Sequence, residues 1–253
     1  MNNCYINVCG GLGNVLFQVA TAYAYSKKYD KNLFINPDNW NACQGNHVLT
    51  YRNTIFKNFQ YGSPNGVVNF IQEKEFNHSV LEYAEGDVCL NGYFQSEKYF
   101  QDVSEEFIKL LDIPSVDKNI LYHSGKNKSV GIHIRRGDYL HYKDIHYVCT
   151  PEYFNYFFDK FKDCNISVFT DSPDIILDEF SGKDFKIIKS SSDLKEFAFM
   201  SQCDILVGSN SSFSWWASMI GKMECYFPDR WFYDSRKHED VYRSDMILMN
   251  PYV

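Results

Sequence analysis

The 253 residues contain no run approaching the roughly 18 consecutive apolar positions that a membrane-spanning helix requires. The start, Met1-Asn2-Asn3-Cys4-Tyr5, has neither the basic cluster nor the apolar stretch of a secretory leader. The expected compartment is therefore cytoplasmic. Positive charge is scarce: 25 Lys and Arg against 32 Asp and Glu leave a net charge of −7. That balance disfavours a polyanion as the main partner, so no nucleic acid is expected. There is no Cys-x-x-Cys. The eight cysteines are scattered singly in a chain large enough not to need staples, and are expected as free, mostly buried thiols. Also missing are the Gly-Lys-Ser/Thr of a P-loop, the third glycine of a dinucleotide fingerprint, where Leu16 stands, and any Asp-x-Asp to hold a divalent ion. What remains is a soluble globular protein with a sizeable core.

What is abundant is aromatic: 21 Phe, 19 Tyr and 4 Trp, which fits either an aromatic-rich core or sugar-stacking surfaces. Short β-like apolar runs alternate with longer helical ones, the pattern of a parallel α/β fold. Strands are expected at 4–9, 33–36 and 87–91, with helices over 14–29 and 96–111. Leu16, Phe17, Ala20, Tyr23 and Ala24 share one face of the first helix. Between 37 and 86 the pattern is irregular. A polar stretch over 113–128, with Pro114, Ser115, Ser124 and Gly125, reads as a linker. Beyond it strands are expected at 130–135, 166–170, 185–188, 204–207 and 224–227, with helices at 151–161, 175–180, 194–202 and 212–220. Two Rossmann-like domains follow, over 1–120 and 126–253, facing each other across a cleft, with the final residues returning to the first domain.

Three segments carry chemistry. Gly10-Gly11-Leu12-Gly13-Asn14 lies between a strand and a helix, where backbone N–H groups meet an anion; taken alone it is equally a tight strand-to-helix turn. In Gly131-Ile132-His133-Ile134-Arg135-Arg136-Gly137-Asp138-Tyr139, strand alternation sets His133 and Arg135 on one face with Arg136 at the mouth. Two guanidiniums at a strand's C-terminal end call for an anion such as phosphate, or else for an internal salt bridge, for example Arg136 to Asp138. Ser209-Asn210-Ser211-Ser212-Phe213-Ser214-Trp215-Trp216 opens a helix after an apolar strand, as an N-cap and a phosphate cradle at once, or as an over-capped helix. Glu196, on the preceding helix, is either a solvated residue or a carboxylate that accepts two hydrogen bonds from a guanine edge.

The segments GGLGNVLFQVATAYAYS, GYFQSEKYF from Gly92 to Phe100, GIHIRRGDY and SNSSFSWW, in this order, resemble glycosyltransferase family 11, the α-1,2-fucosyltransferases, over nearly the whole chain. The resemblance implies a GT-B fold with the acceptor on the N-terminal side and GDP-fucose held mainly by the C-terminal domain. It implies that Arg135 binds the donor pyrophosphate with Arg136 assisting, that His133 lies near the base or ribose, and that Ser211 and Ser212, with Phe213 beside them, hold the phosphate end. Glu196, eight residues before Asp204, stands where relatives place an Asp for guanine. Asn14 corresponds to an Asn that meets donor phosphate and the reacting centre, with Gly11 and Gly13 in the same turn, and Asp171 matches a further family motif.

The activity so implied is inverting transfer of L-fucose from GDP-fucose to the 2-hydroxyl of a terminal galactose or related sugar. No cofactor is expected, GDP-fucose being a co-substrate. With no Asp-x-Asp and with paired arginines, the expected chemistry is metal-independent, Arg135 being the main stabiliser of the leaving diphosphate. The partners are GDP-fucose and an oligosaccharide or glycan acceptor; a lipid-linked acceptor would bring peripheral membrane association. Asp138 and Glu97 are both candidates for the general base, and the sequence assigns neither. Another GDP-linked 6-deoxy sugar such as colitose would use the same donor motifs, and a non-catalytic glycan- or nucleotide-sugar-binding protein is a third reading.

Overall fold

The computed structural model describes residues 2–38, 48–123, 125–126 and 128–252. The chain divides into two compact units, Met1–Pro114 with Lys237–Arg243, and Ser115–Arg236 with Ser244–Val253. The first unit thus ends ahead of the expected 120. It is the segment 237–243 and not the C-terminal residues that returns to it, held where Asn77 donates to Glu239 at 2.8 Å and Lys98 pairs with Asp240.

The first unit carries β1 (Asn3–Asn7), α1 (Leu12–Tyr29), β2 (Asn32–Asn36), β3 (Asn69–Gln72), β4 (Val88–Asn91) and α2 (Ser104–Leu110). Its four strands pair in parallel in the order β2-β1-β4-β3. Cys4 and Ile6 on one face of β1 and Tyr5 and Asn7 on the other are all buried, as a central parallel strand covered on both faces requires. Leu16, Phe17 and Ala20 are buried as expected, whereas Tyr23 and Ala24 are half-buried. The helix expected over 96–111 is broken into two 3₁₀ turns and the shorter α2, because Phe100 (φ −142°) leaves helical geometry to pack edge-on against Phe17. β3 was not expected; as an exposed edge strand it has no alternation to read.

The second unit comprises β5 (Ser129–Ile134), α3 (Gly137–His141), α4 (Pro151–Lys160), β6 (Asn165–Thr170), α5 (Pro173–Glu179), β7 (Lys186–Ile187), α6 (Asp193–Met200), β8 (Ile205–Val207), α7 (Ser212–Gly221), β9 (Glu224–Pro228) and β10 (Met246–Met249). Six parallel strands run in the order β10-β9-β8-β5-β6-β7. α3 and β10 are additions to the expected series. The core on one face of this sheet is built from Tyr153, Phe154, Phe157, Phe158, Phe161, Phe180 and Tyr226, so much of the aromatic content is core. Seven cysteines are free, and Cys43 lies outside the described residues. Asn165 and Asn210, each in an Asn-x-Ser triplet, are buried, and no glycan fits there. Among the described residues no helix is long and apolar enough to cross a membrane.

In this second sheet the chain runs outward from β5 through β6 to β7, then returns to the other side of β5 as β8. That reversal lies at the C-terminal ends of β5 and β8, the position where parallel α/β sheets take their ligands. The first sheet has its own reversal at β1 and β4.

Candidate active site

β5 delivers His133 and Arg135 to its reversal point. Arg135 is tied to the adjacent strand end, its backbone N–H donating to Ser209 Oγ at 3.1 Å. Its guanidinium hydrogen-bonds Asp138 and lies over the Tyr139 ring, 5.2 Å from the centroid. Its Nε is 3.2 Å from Asp171 Oδ2, an ion pair by distance, yet the buried Nε–H finds no hydrogen-bond acceptor among the described residues. His133 Nδ1 is likewise buried and without a hydrogen-bond partner there. Burial, aided by the Arg135 charge, pushes the His133 pKa down to about 3 and keeps the ring neutral.

Asp171 follows β6 and accepts the backbone N–H groups of Arg136 and Gly137 at 3.1 and 3.2 Å. A Cβ at Gly137 would stand 2.6 Å from Asp171 Oδ2, so a larger residue here would displace the Asp171 carboxylate. Glu196 of α6 is half-buried in the same field. Its pKa is raised to about 7, first by burial, then by Asp193 and Asp171, with Arg135 in partial relief. Phe213 of α7 bridges the group, 5.7 Å from the His133 ring and 5.3 Å from Phe197.

The serine cluster divides by task. Ser209 Oγ donates to His133 O at 2.9 Å and locks β5 to β8. Ser211 is the N-cap of α7, accepting from Phe213 N, and Ser214 Oγ returns to Ser211 O at 3.2 Å. Asn210 is buried, bonded to Trp231 O and, through its own carbonyl, to the Tyr139 hydroxyl. Much of the cluster therefore builds the turn, the hydroxyl of Ser211 included.

Arg136 is a correction. It does not stand at the mouth but turns inward, almost completely buried. Its Nε and Nη2 each lie 3.1 Å from a Glu179 oxygen, and Nη1 donates to Cys149 O at 2.9 Å. The internal salt bridge considered from sequence exists, but to Glu179 of α5 and not to Asp138; Asp138 serves Arg135 instead. Paired inward, Arg136 has little to offer a diphosphate.

In the first unit Gly11 is the N-cap of α1, its carbonyl accepting from Asn14 and Val15, and Gly13 is buried in the first turn. Asn14 Oδ1 accepts from Gln95 Nε2 at 2.6 Å. Glu179 was not singled out from sequence and no separate role was given to Tyr139; Glu179 reaches Arg136 from 43 residues away, and Tyr139 meets both Arg135 and, through its hydroxyl, Asn210 O. Glu97, the other candidate base, is half-buried in a 3₁₀ turn of the first unit.

The family profile described as Glycosyl transferase family 11 matches residues 77–250, well over half of the chain. An α-1,2-colitosyltransferase from Escherichia coli is 26% identical over 89% of this chain and 91% of its own length. A galactoside α-(1,2)-fucosyltransferase 2 from Bos taurus is 24% identical over 88% and 70%. Among solved structures, the fucosyltransferase NodZ from Bradyrhizobium matches at a TM-score of 0.54 and 14% identity, over 87% of this chain and 92% of that one; a crystal of NodZ soaked with GDP-fucose gives the same score. At such identity the likeness speaks to the fold, two Rossmann-like units of the GT-B type.

Proposed function

The chain belongs to glycosyl transferase family 11, and from that membership we propose that it transfers L-fucose from GDP-fucose to the 2-hydroxyl of a terminal galactose or related sugar. One observation carries the reading of the site. Two buried nitrogens, Arg135 Nε and His133 Nδ1, lack hydrogen-bond partners among the described residues and meet at the reversal point of the second sheet. An unmet buried donor costs roughly 1–3 kcal/mol, and a diphosphate oxygen supplies what Arg135 lacks.

In this reading the acceptor oxygen attacks the anomeric carbon as the bond to the β-phosphate oxygen breaks, in one inverting displacement. The charge gathering on GDP is met by Arg135 and the N-terminus of α7, without a metal. Glu196 accepts from the guanine N1–H and exocyclic amine in its ionised form. A second reading, transfer of colitose from its GDP-sugar, is favoured by the colitosyltransferase likeness and differs only in the sugar pocket. The deciding experiment incubates the purified protein with GDP-fucose, GDP-colitose and a panel of galactose-terminated acceptors, read by mass spectrometry. Fucosylated product supports the first reading, colitosylated product alone the second, and tight GDP-sugar binding without product a non-catalytic role. Activity is expected to survive excess EDTA; a strict demand for Mn²⁺ or Mg²⁺, restored on adding the ion back, would overturn the metal-independent mechanism.

A further inference from the structure

A guanidinium taken almost completely out of water is costly unless its charge and its N–H groups are all met. Around Arg136 they are met from several segments of the second unit. The edge formed by Nε and Nη2 faces the carboxylate of Glu179, the last residue of α5, in the two-pronged geometry that the two groups share. Nη1 donates to two main-chain carbonyls, Arg135 O at 3.2 Å and Cys149 O, just ahead of α4, at 2.9 Å. The Phe154 ring of α4 lies with its centroid 5.4 Å from the guanidinium carbon. Because the guanidinium is planar and rigid, the carboxylate that takes one edge decides where the remaining nitrogen points.

It points at the peptide from which the Arg135 side chain departs. Both polar groups of the 135–136 peptide bond are held by side chains, the carbonyl by Arg136 Nη1 and the N–H by Asp171 Oδ1 at 3.1 Å. On the other side of the Arg135 Cα, its own N–H is held by Ser209 Oγ. With φ −127° and ψ −63°, Arg136 is neither extended nor helical, so these side chains orient the peptide where the strand ladder has ended. We infer that Arg136 and Glu179 are a positioning pair: Glu179 aims the Arg136 guanidinium, and Arg136 fixes the peptide that carries the Arg135 guanidinium to the donor diphosphate. Neither member of the pair touches the donor. The inference rests on the proposed transferase reading in one respect, that Arg135 meets that diphosphate.

Arg136→Lys tests it with the charge kept. A single ammonium on a flexible stem still neutralises Glu179, but it cannot grip the carboxylate with two prongs and hold both carbonyls as well. The expected result is a fall in kcat of about 10–100-fold, the scale of a misplaced reacting group, with the acceptor KM unchanged. Glu179→Gln should lower kcat in the same way, and the two substitutions together should cost no more than the larger of the single losses. Should Glu179→Gln fail to fold with a cation left unpaired, Glu179→Gln combined with Arg136→Met removes both charges and carries the same expectation. In an Arg135→Lys background none of these changes should add a further loss. A pair that only balances charge would be satisfied by lysine, so wild-type kcat in Arg136→Lys overturns the inference, as does a loss that multiplies with that of Arg135→Lys. If the wild type transfers no GDP-linked sugar, the transferase reading falls, but the placement is still read from the ¹⁵N-resolved Nε–H signal of Arg135, assigned by its disappearance in Arg135→Lys. That signal must shift or broaden in Arg136→Lys and in the Glu179 variant that folds; an unaltered signal refutes the positioning role.

Discussion

The two ends of the sheet in the second unit treat buried charge in opposite ways. At the N-terminal end, Asp204 precedes β8 and accepts from Ser129 N at 2.8 Å, Ser129 Oγ at 2.9 Å, Tyr122 Oη at 2.9 Å and Lys118 Nζ at 3.2 Å. Burial works against this carboxylate, yet the four donors bring its pKa down to about 2. At the C-terminal end burial and like charge leave Glu196 at about 7, and Arg135 and His133 keep nitrogens without partners among the described residues. One end is completed by the chain itself. The other, in the proposed reading, is completed by a ligand that brings phosphate oxygens and hydrogen-bond donors, at the strand ends where parallel sheets take their ligands.

The contrast breaks most sharply at Arg135. Arg135→Lys keeps the charge and loses the fork, so turnover should fall on the order of 10²–10³-fold while the melting temperature changes little. Saturating GDP should raise the melting temperature of the wild type more than that of the variant. A variant that melts far lower yet answers GDP normally would make Arg135 a structural ion pair and dissolve the distinction between the two ends.

Asp204→Asn should do the reverse, costing about 1–3 kcal/mol of stability by setting an amide against four donors, with GDP binding unchanged. Because the folded pKa of Asp204 lies below its unfolded value, the stability it contributes is present above pH 3.8 and is lost as pH falls through about 2. Acid melts of wild type and variant should therefore converge at the lowest pH; a constant gap between them would assign the effect to packing.

Glu196→Gln sharpens the comparison on its weaker side. GDP binding should weaken by about 1–3 kcal/mol, and UDP binding, expected to be poor in the wild type, should hardly change. Here the sign is opposite to that of Asp204: the folded pKa is raised, so the contribution of Glu196 is complete below pH 4.5 and lost as pH rises through about 7. The substitution should accordingly raise the melting temperature of the protein alone above neutral pH while lowering its affinity for GDP. Calorimetry showing unchanged GDP affinity would return Glu196 to the solvated residues.

Legibility followed the range of the interaction. The strands and helices of the second unit were readable because each is a local apolar pattern bounded by turn residues, and Ser211 as an N-cap needed only its neighbours. Arg135 and Arg136 are adjacent and chemically identical, and no local rule separates them. Glu179, 43 residues beyond Arg136, takes the one, while Asp138 and Asp171 frame the other. The serine cluster misled in part for the same reason, since the hydroxyl of Ser209 is used by the carbonyl of His133, 76 residues away.

By itself the sequence determined the parallel α/β class and the segments in which the chemistry lies, since strand and helix periodicity and turn residues are properties of a few consecutive side chains. Only the tertiary structure decided which arginine turns inward, which serines are used up in the fold, and that one end of a sheet is closed by the chain while at the other Arg135 and His133 keep nitrogens without hydrogen-bond partners among the described residues. Those outcomes depend on which strands the reversal at β5 brings together, and hydrogen bonds and desolvation act between groups in space, whatever their separation along the chain.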